Sequence, residues 1–247
     1  MSEITIEIKG LNFAYESKKV LSSIYLKIES GHIHGLIGPN GAGKSTLFKC
    51  ILGQIEAQSG SIKLFGQDHK TQLTKIAYVP QKDQVDWSFP ILVKDVVKMG
   101  RYAHKKWWEW TNTEDRKIAQ EAMERVEISE LADRQIGELS GGQQQRVFLA
   151  RAICQNADII MMDEPFVGID AKTEHRMISI LKDLAALNKT ILVVHHDLDS
   201  VLSYFDRVIL IHHRLIAYGD TSVVFTKENI SLTFASQSHL LQKPLSK

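Results

Sequence analysis

Short alternating runs open the chain. Ile4, Ile6 and Ile8 are separated by polar residues, and so are Ile24, Leu26 and Ile28, then Ile62 and Leu64. A period of two predicts strands with one buried face. Residues 33–37 and 76–79 read as further strands, the second ending before Pro80. Between them Leu47, Phe48, Ile51 and Leu52 fit one helix, with Gly53 as its stop. From about residue 90 to 155 the spacing turns helical. Ile118, Ala122, Met123 and Val126 share a face of a helix that Thr113 could cap. A second helix is predicted over 143–154, with Val147, Ala150 and Cys154 at three- and four-residue steps. Strand signals return at 159–162, 191–194 and 208–211, and Met177, Ile180, Leu181, Leu184 and Leu187 mark a helix between the first two. Unbroken apolar strands alternating with amphipathic helices predict an α/β fold with a mostly parallel sheet covered on both faces.

Chemistry enters at the end of the strand 33–37. The run Gly38-Pro39-Asn40-Gly41-Ala42-Gly43-Lys44-Ser45-Thr46 joins it to the following helix. Glycines let the backbone curl so that several N–H groups face one anion. Lys44 adds positive charge toward the β- and γ-phosphates of a nucleotide, and Ser45 offers a hydroxyl to Mg²⁺. The loop alone says only that ATP or GTP is bound.

Bulk properties narrow the setting. The chain has 247 residues, 44% hydrophobic and 24% charged, with a net charge of +1. That length supports one substantial core, with room for a small subdomain. Near-neutral charge weakens any electrostatic case for nucleic acid. No apolar run approaches the roughly 18 residues of a membrane span. Cys50 and Cys154 are expected as free thiols in a reducing, cytosolic compartment.

A second phosphate cradle follows. In Leu139-Ser140-Gly141-Gly142-Gln143 the serine sits where an N-cap belongs, and two glycines admit an anion to the helix start. One nucleotide loop needs no second cradle in its own chain, so this one is expected to serve another copy. The strand 159–162 ends in Asp163-Glu164-Pro165. Asp163 can hold the Mg²⁺ hydration shell, and Glu164 can polarise a water toward the γ-phosphate. His195-His196-Asp197 leaves the strand 191–194, and Gln81 follows Tyr78-Val79-Pro80, where its amide can ligate Mg²⁺ or contact the attacking water.

In this order the residues resemble the ATP-binding subunit of ATP-binding-cassette (ABC) transporters over nearly the whole chain. The resemblance implies a P-loop NTPase of the ABC ATPase type. A mostly parallel core with an antiparallel N-terminal β portion would span about 1–88 and 156–220, an inserted α-helical subdomain about 89–155, and a tail about 221–247. It implies Glu164 as catalytic base, Gln81 and His196 as switches, and His195 as a passenger. Tyr15 would stack on adenine, and Ser140, Gly141, Gly142, Gln143 and Asp170 would act on the nucleotide of a second copy. Val167-Gly168-Ile169 before Asp170 departs from the family's commoner Ser-containing run.

A single cassette looks like the separate engine of an importer. The stretches 85–91, 96–102, 163–170 and 194–198 look like the manganese, zinc and iron group. The resemblance thus implies ATP and Mg²⁺ as cofactors and an ATPase on the cytoplasmic face of the membrane. Its implied partners are a permease, an extracytoplasmic metal-binding protein through it, and a second copy arranged head to tail. Iron-chelate importers and non-transport cassettes are the alternatives. Trp107, Trp108 and Trp110 either line a groove for the permease or pack inside the helical subdomain. The histidines, among them His32, His34, His212 and His213, are expected to be structural or surface residues.

Overall fold

The structure, a computed structural model, describes residues 3–106 and 108–235. In chain order it places strands β1 (Ile4–Tyr15), β2 (Lys18–Glu29) and β3 (Ile33–Ile37), helix α1 (Lys44–Ile51), then β4 (Ser59–Leu64), β5 (Gln67–Asp68) and β6 (Ile76–Val79). Helices α2 (Val93–Lys98), α3 (Thr113–Arg125) and α4 (Gly141–Gln155) follow, then β7 (Ile159–Asp163) and α5 (Ala171–Ala186). The order closes with β8 (Thr190–His195), α6 (Val201–Tyr204), β9 (Arg207–His212), β10 (Arg214–Asp220), α7 (Thr221–Val224) and α8 (Lys227–Thr233). Contacts divide the chain into one unit of residues 1–73 with 185–247 and another of residues 74–184.

The first unit holds two kinds of sheet. Antiparallel β2, β1, β4 and β5 lie side by side in that order. Ile6 and Ile8 face Ile28 and Leu26 on one side and Leu64 and Ile62 on the other, all buried. Glu7 lies on the opposite face and pairs with Lys9 at 3.0 Å and Lys27 at 3.5 Å. Along β1 the buried set then changes parity, from Ile6 and Ile8 to Leu11 and Phe13. The cause is a bulge between Ile8 and Leu11, where Gly10 takes a φ of +60° that a side chain would resist. The second sheet is parallel where β3 sits between β8 and β9, and β10 adds an antiparallel edge to β9. Every residue of β3 and β8 is buried, as strands covered on both faces require.

In the second unit β6 and β7 pair in parallel, with Ile76 opposite Ile159 and Val79 opposite Met162. The predicted segment 89–155 lies wholly within this unit. Helix α4 is its spine, burying Val147, Phe148, Leu149, Ala150, Ala152 and Cys154. Arg151 donates to the Tyr78 carbonyl at 2.8 Å, and Gln155 donates to the Thr74 and Ile76 carbonyls at 3.1 and 2.8 Å. Gly100 lets the chain cross α4 closely, since a β-carbon there would run into the Arg151 carbonyl oxygen. Both cysteines are free and buried, and burial pushes each thiol up to about 11.

Two expectations need correction. Asn112, not Thr113, caps α3: its side chain accepts from the Asp115 N–H at 2.9 Å while Asp115 accepts from the Asn112 N–H at 2.9 Å. A threonine at the first helical position cannot make that reciprocal pair. Leu187 lies beyond the end of α5 and is 63% exposed, so it does not continue the buried helical face. Trp107 and residues 236–247 of the predicted tail fall outside the described residues.

Candidate functional site

Within the first unit, β3 ends at Ile37 and the chain turns through residues 38–43 into α1. The turn has no room for side chains at two of its glycines. A β-carbon on Gly38 would collide with the Ile211 carbonyl oxygen, and one on Gly43, at φ +101°, would lie 2.7 Å from Leu21 Cδ2. Gly41, at φ +80°, faces open space, so its backbone is the exposed lip of the loop. Lys44 is buried to 6% exposure and donates to the Gly38 and Pro39 carbonyls at 2.7 and 3.0 Å, which folds its ammonium back over the turn. Ser45 and Asn40 are exposed, while Pro39, Ala42 and Thr46 are buried. The result is a tight glycine-rich turn with a lysine folded over it at a helix start, the chemistry of a polyphosphate cradle.

Tyr15 closes β1 at 46% exposure, edge-on to Phe13 with ring centroids 4.8 Å apart. It is a surface aromatic, not a core one. His196 reaches the same strand ends: Ile37 pairs with His195 in register, so Gly38 and His196 leave adjacent parallel strands together. The two histidines differ as alternation demands. His195 is 4% exposed, bonded through Nε2 to Ser200 Oγ at 2.7 Å and set against Phe205, and burial pushes its pKa down to about 4. His196 is exposed.

The second unit gathers the acids. Val79 and Met162 are register partners, which brings the chain beyond each strand to one place. Gln81 Nε2 donates to Glu164 Oε2 at 3.2 Å. Asp163 is 2% exposed, and its charge adds to burial in holding Tyr78 up at about 12. Glu164 has a φ of +48°, a left-handed conformation costly for a residue with a side chain.

At the start of α4 the predicted cap is present. Ser140 accepts from the Gln143 N–H at 3.4 Å, and Gln143 Oε1 accepts from the Ser140 N–H at 2.9 Å. Gly142 packs near Thr173, and Gly141 lies beside Lys82 and the Gly168 carbonyl. Asp170 turns its carboxylate onto α5, accepting from the Thr173 N–H at 3.0 Å and hydroxyl at 2.7 Å. The structure thus joins the Ser-Gly-Gly stretch to the segment around Asp170, and Gln81 to Glu164. Sequence reasoning missed Lys82, whose one signal was adjacency to Gln81, and Ser200, which anchors His195 from five residues away.

Known proteins give the same picture. Residues 21–167 match the family described as ABC transporter. The chain is 49% identical to the manganese transport system ATP-binding protein MntB of Bacillus subtilis (strain 168), over 96% of this chain and 95% of that one. It is 47% identical to the zinc transport system ATP-binding protein TroB of Treponema pallidum (strain Nichols), over 94% of this chain and 87% of that one. Among solved structures it superposes on a nucleotide-free ATP-binding cassette from an ABC transporter with a TM-score of 0.79 at 26% identity, covering 99% and 100% of the two chains. A glycine-rich loop closed by Lys44, an acid pair ending β7, and likeness along nearly the whole length agree: the chain belongs to the ABC transporter family.

Proposed function

We propose that the chain is the ATP-hydrolysing subunit that energises an ABC importer for a divalent metal ion, manganese in first place. The observation that carries this is the 49% identity to a manganese transport ATP-binding protein across 96% of the chain.

The residues take the following parts. Residues 38–46 hold the phosphates of ATP, and Tyr15 lies against the base. Ser45, Gln81 and Asp163 would hold Mg²⁺, since hydroxyl, amide and carboxylate make the all-oxygen donor set that this ion prefers. Mg²⁺, when bound, neutralises charge on the β- and γ-phosphates. Glu164 accepts a proton from the attacking water, Gln81 orients Glu164 through their shared hydrogen bond, and His196 donates to the γ-phosphate. Ser140, Gly141, Gly142, Gln143 and Asp170 act on the nucleotide of a second copy turned head to tail. A related cassette, 26% identical with a TM-score of 0.75, has been solved as a dimer in a post-hydrolysis state with ADP and phosphate.

Closure of such a dimer pulls a permease between its two openings, and ATP drives this only through tighter binding to the closed form. A cleft of about 580 Å³ lined by Tyr102, Lys105, Lys106, Trp108 and Trp110 supports permease docking on the helical segment. Trp110 is 92% and Trp108 58% exposed, so neither packs inside it. No described helix is long and apolar enough to cross a membrane. In this reading the chain works at the cytoplasmic face through the permease, as the transport ATP-binding proteins it resembles suggest, and an extracytoplasmic metal-binding protein delivers the cargo.

Likeness to the zinc protein supports zinc as the second reading. Elemental analysis of a strain lacking this chain separates the two. Cell manganese should fall and recover with the wild-type chain but not with Glu164→Gln. A fall in zinc alone would transfer the assignment to zinc, a fall in iron alone to iron, and unchanged levels of all three would overturn metal import.

A further inference from the structure

Lys82 follows Gln81 and opens a short 3-10 turn, Lys82–Gln84. Its side chain runs to the start of α4. A β-carbon on Gly141 would lie 2.9 Å from Lys82 Nζ, 3.8 Å from its Cε and 3.6 Å from the Gly168 carbonyl oxygen. The bare glycine is what lets the ammonium come so close. No carboxylate among the described residues pairs with it. Two positive features therefore converge, the amine and the N–H end of a 15-residue helix. Like signs repel, and the arrangement becomes favourable once an anion stands between them. Ser140 supplies a third donor, because its capping bond from the Gln143 N–H is long at 3.4 Å and occupies only the oxygen's lone pair.

We propose that Lys82 contacts phosphate in trans: its ammonium joins the Ser140 hydroxyl and the Gly141 and Gly142 N–H groups in binding the terminal phosphate of ATP held by a second copy. This rests on the reading of residues 139–143 as the half-site lent to that copy. Neighbouring side chains then serve different nucleotides, Gln81 its own chain's and Lys82 the partner's. The stretch between β6 and α2 thereby senses both sites of a dimer.

The test uses the full chain with Glu164→Gln, so that ATP persists, and reads ATP-driven dimerisation by sedimentation. Lys82→Met keeps the apolar stem and removes only the charge. Its dimer association constant should fall about tenfold or more, the worth of a charged hydrogen bond. Binding of a fluorescent ATP analogue to the monomer should stay within about twofold, as expected where no contact is shared. Lys82→Arg should recover most of the loss, a rescue that a purely structural role would not give, and melting curves confirm folding. If Lys82→Met fails to fold, Lys82→Gln replaces it. Ser140→Arg is the reference. If it abolishes dimerisation while the lysine variants match the parent within about twofold, Lys82 has no part in the contact. If Ser140→Arg also leaves the dimer intact, the shared half-site itself is refuted.

Discussion

Glu164 combines a strained backbone, at φ +48°, with a side chain bonded by Gln81. Strain of this kind persists where surrounding structure over-determines it, here Asp163 locked in the core on one side and Pro165 buried on the other. Replacing the carboxylate with an amide keeps size and backbone but removes the proton acceptor. Glu164→Gln should therefore retain ATP affinity while kcat falls about 10²- to 10⁴-fold, the range for a positioned acid–base group. Single-turnover hydrolysis beside equilibrium nucleotide binding measures both, and near-parental turnover would strip Glu164 of its part. The adjacent histidines show how far single residues were legible. Their order before Asp197 singled out His196, and strand alternation explains the outcome, His195 inward and His196 outward. Ser200 as the anchor of His195 was not readable, because a serine five residues along a loop carries no periodic signal.

Among the elements, α3 depends on one buried acid. Asp115 is 2% exposed, ion-paired with Arg101 at 3.0 Å and Lys105 at 2.7 Å, and half of the capping box. Burial alone would raise its pKa, but Lys105, the Asn112 N–H and Arg101 outweigh it and bring the carboxyl down to about 2. The folded value lies below the unfolded one, so the stabilisation is complete above about pH 4 and disappears as pH falls through about 2. Asp115→Asn should cost about 2 kcal/mol at neutral pH. That is less than the ~3–5 kcal/mol of a fully enclosed pair, because water reaches the two basic partners. Denaturant titrations at neutral pH and near pH 2 check this, since the gap between variant and parent should close in acid. Helices with strong apolar spacing, such as α4, were plain in the sequence. Harder to read were β10, whose residues are mostly half-buried and so lack a clean alternation, and the parity change in β1, which one glycine controls.

For the whole molecule the telling experiment counts working sites. Place Lys44→Ala in one copy and Ser140→Arg in its partner: a shared-site dimer loads both defects onto one pocket and leaves the other whole. Put both changes in the same copy, opposite an unmodified one, and each pocket carries a defect. Tagged heterodimers should thus differ in ATPase activity although they bear identical numbers of substitutions, and equal rates would argue that each chain works alone. The family was legible over nearly the full length because its phosphate chemistry lies in contiguous peptides. The identity of the metal was not, since the candidate residues all concern the nucleotide and none handles the cargo.

Helix α4 has the Ser-Gly-Gly stretch at one end and, toward the other, Arg151 and Gln155 holding the Tyr78 and Ile76 carbonyls of β6 and the Thr74 carbonyl just before it. Its 15 residues make a rod of about 22 Å. A rod so fastened ties the Ser140 end to the Tyr78 carbonyl, three residues before Gln81. On the proposed reading, fuel loaded by a neighbouring copy would bear on this chain's own water-handling residues along a stiff strut, with no messenger having to diffuse between them.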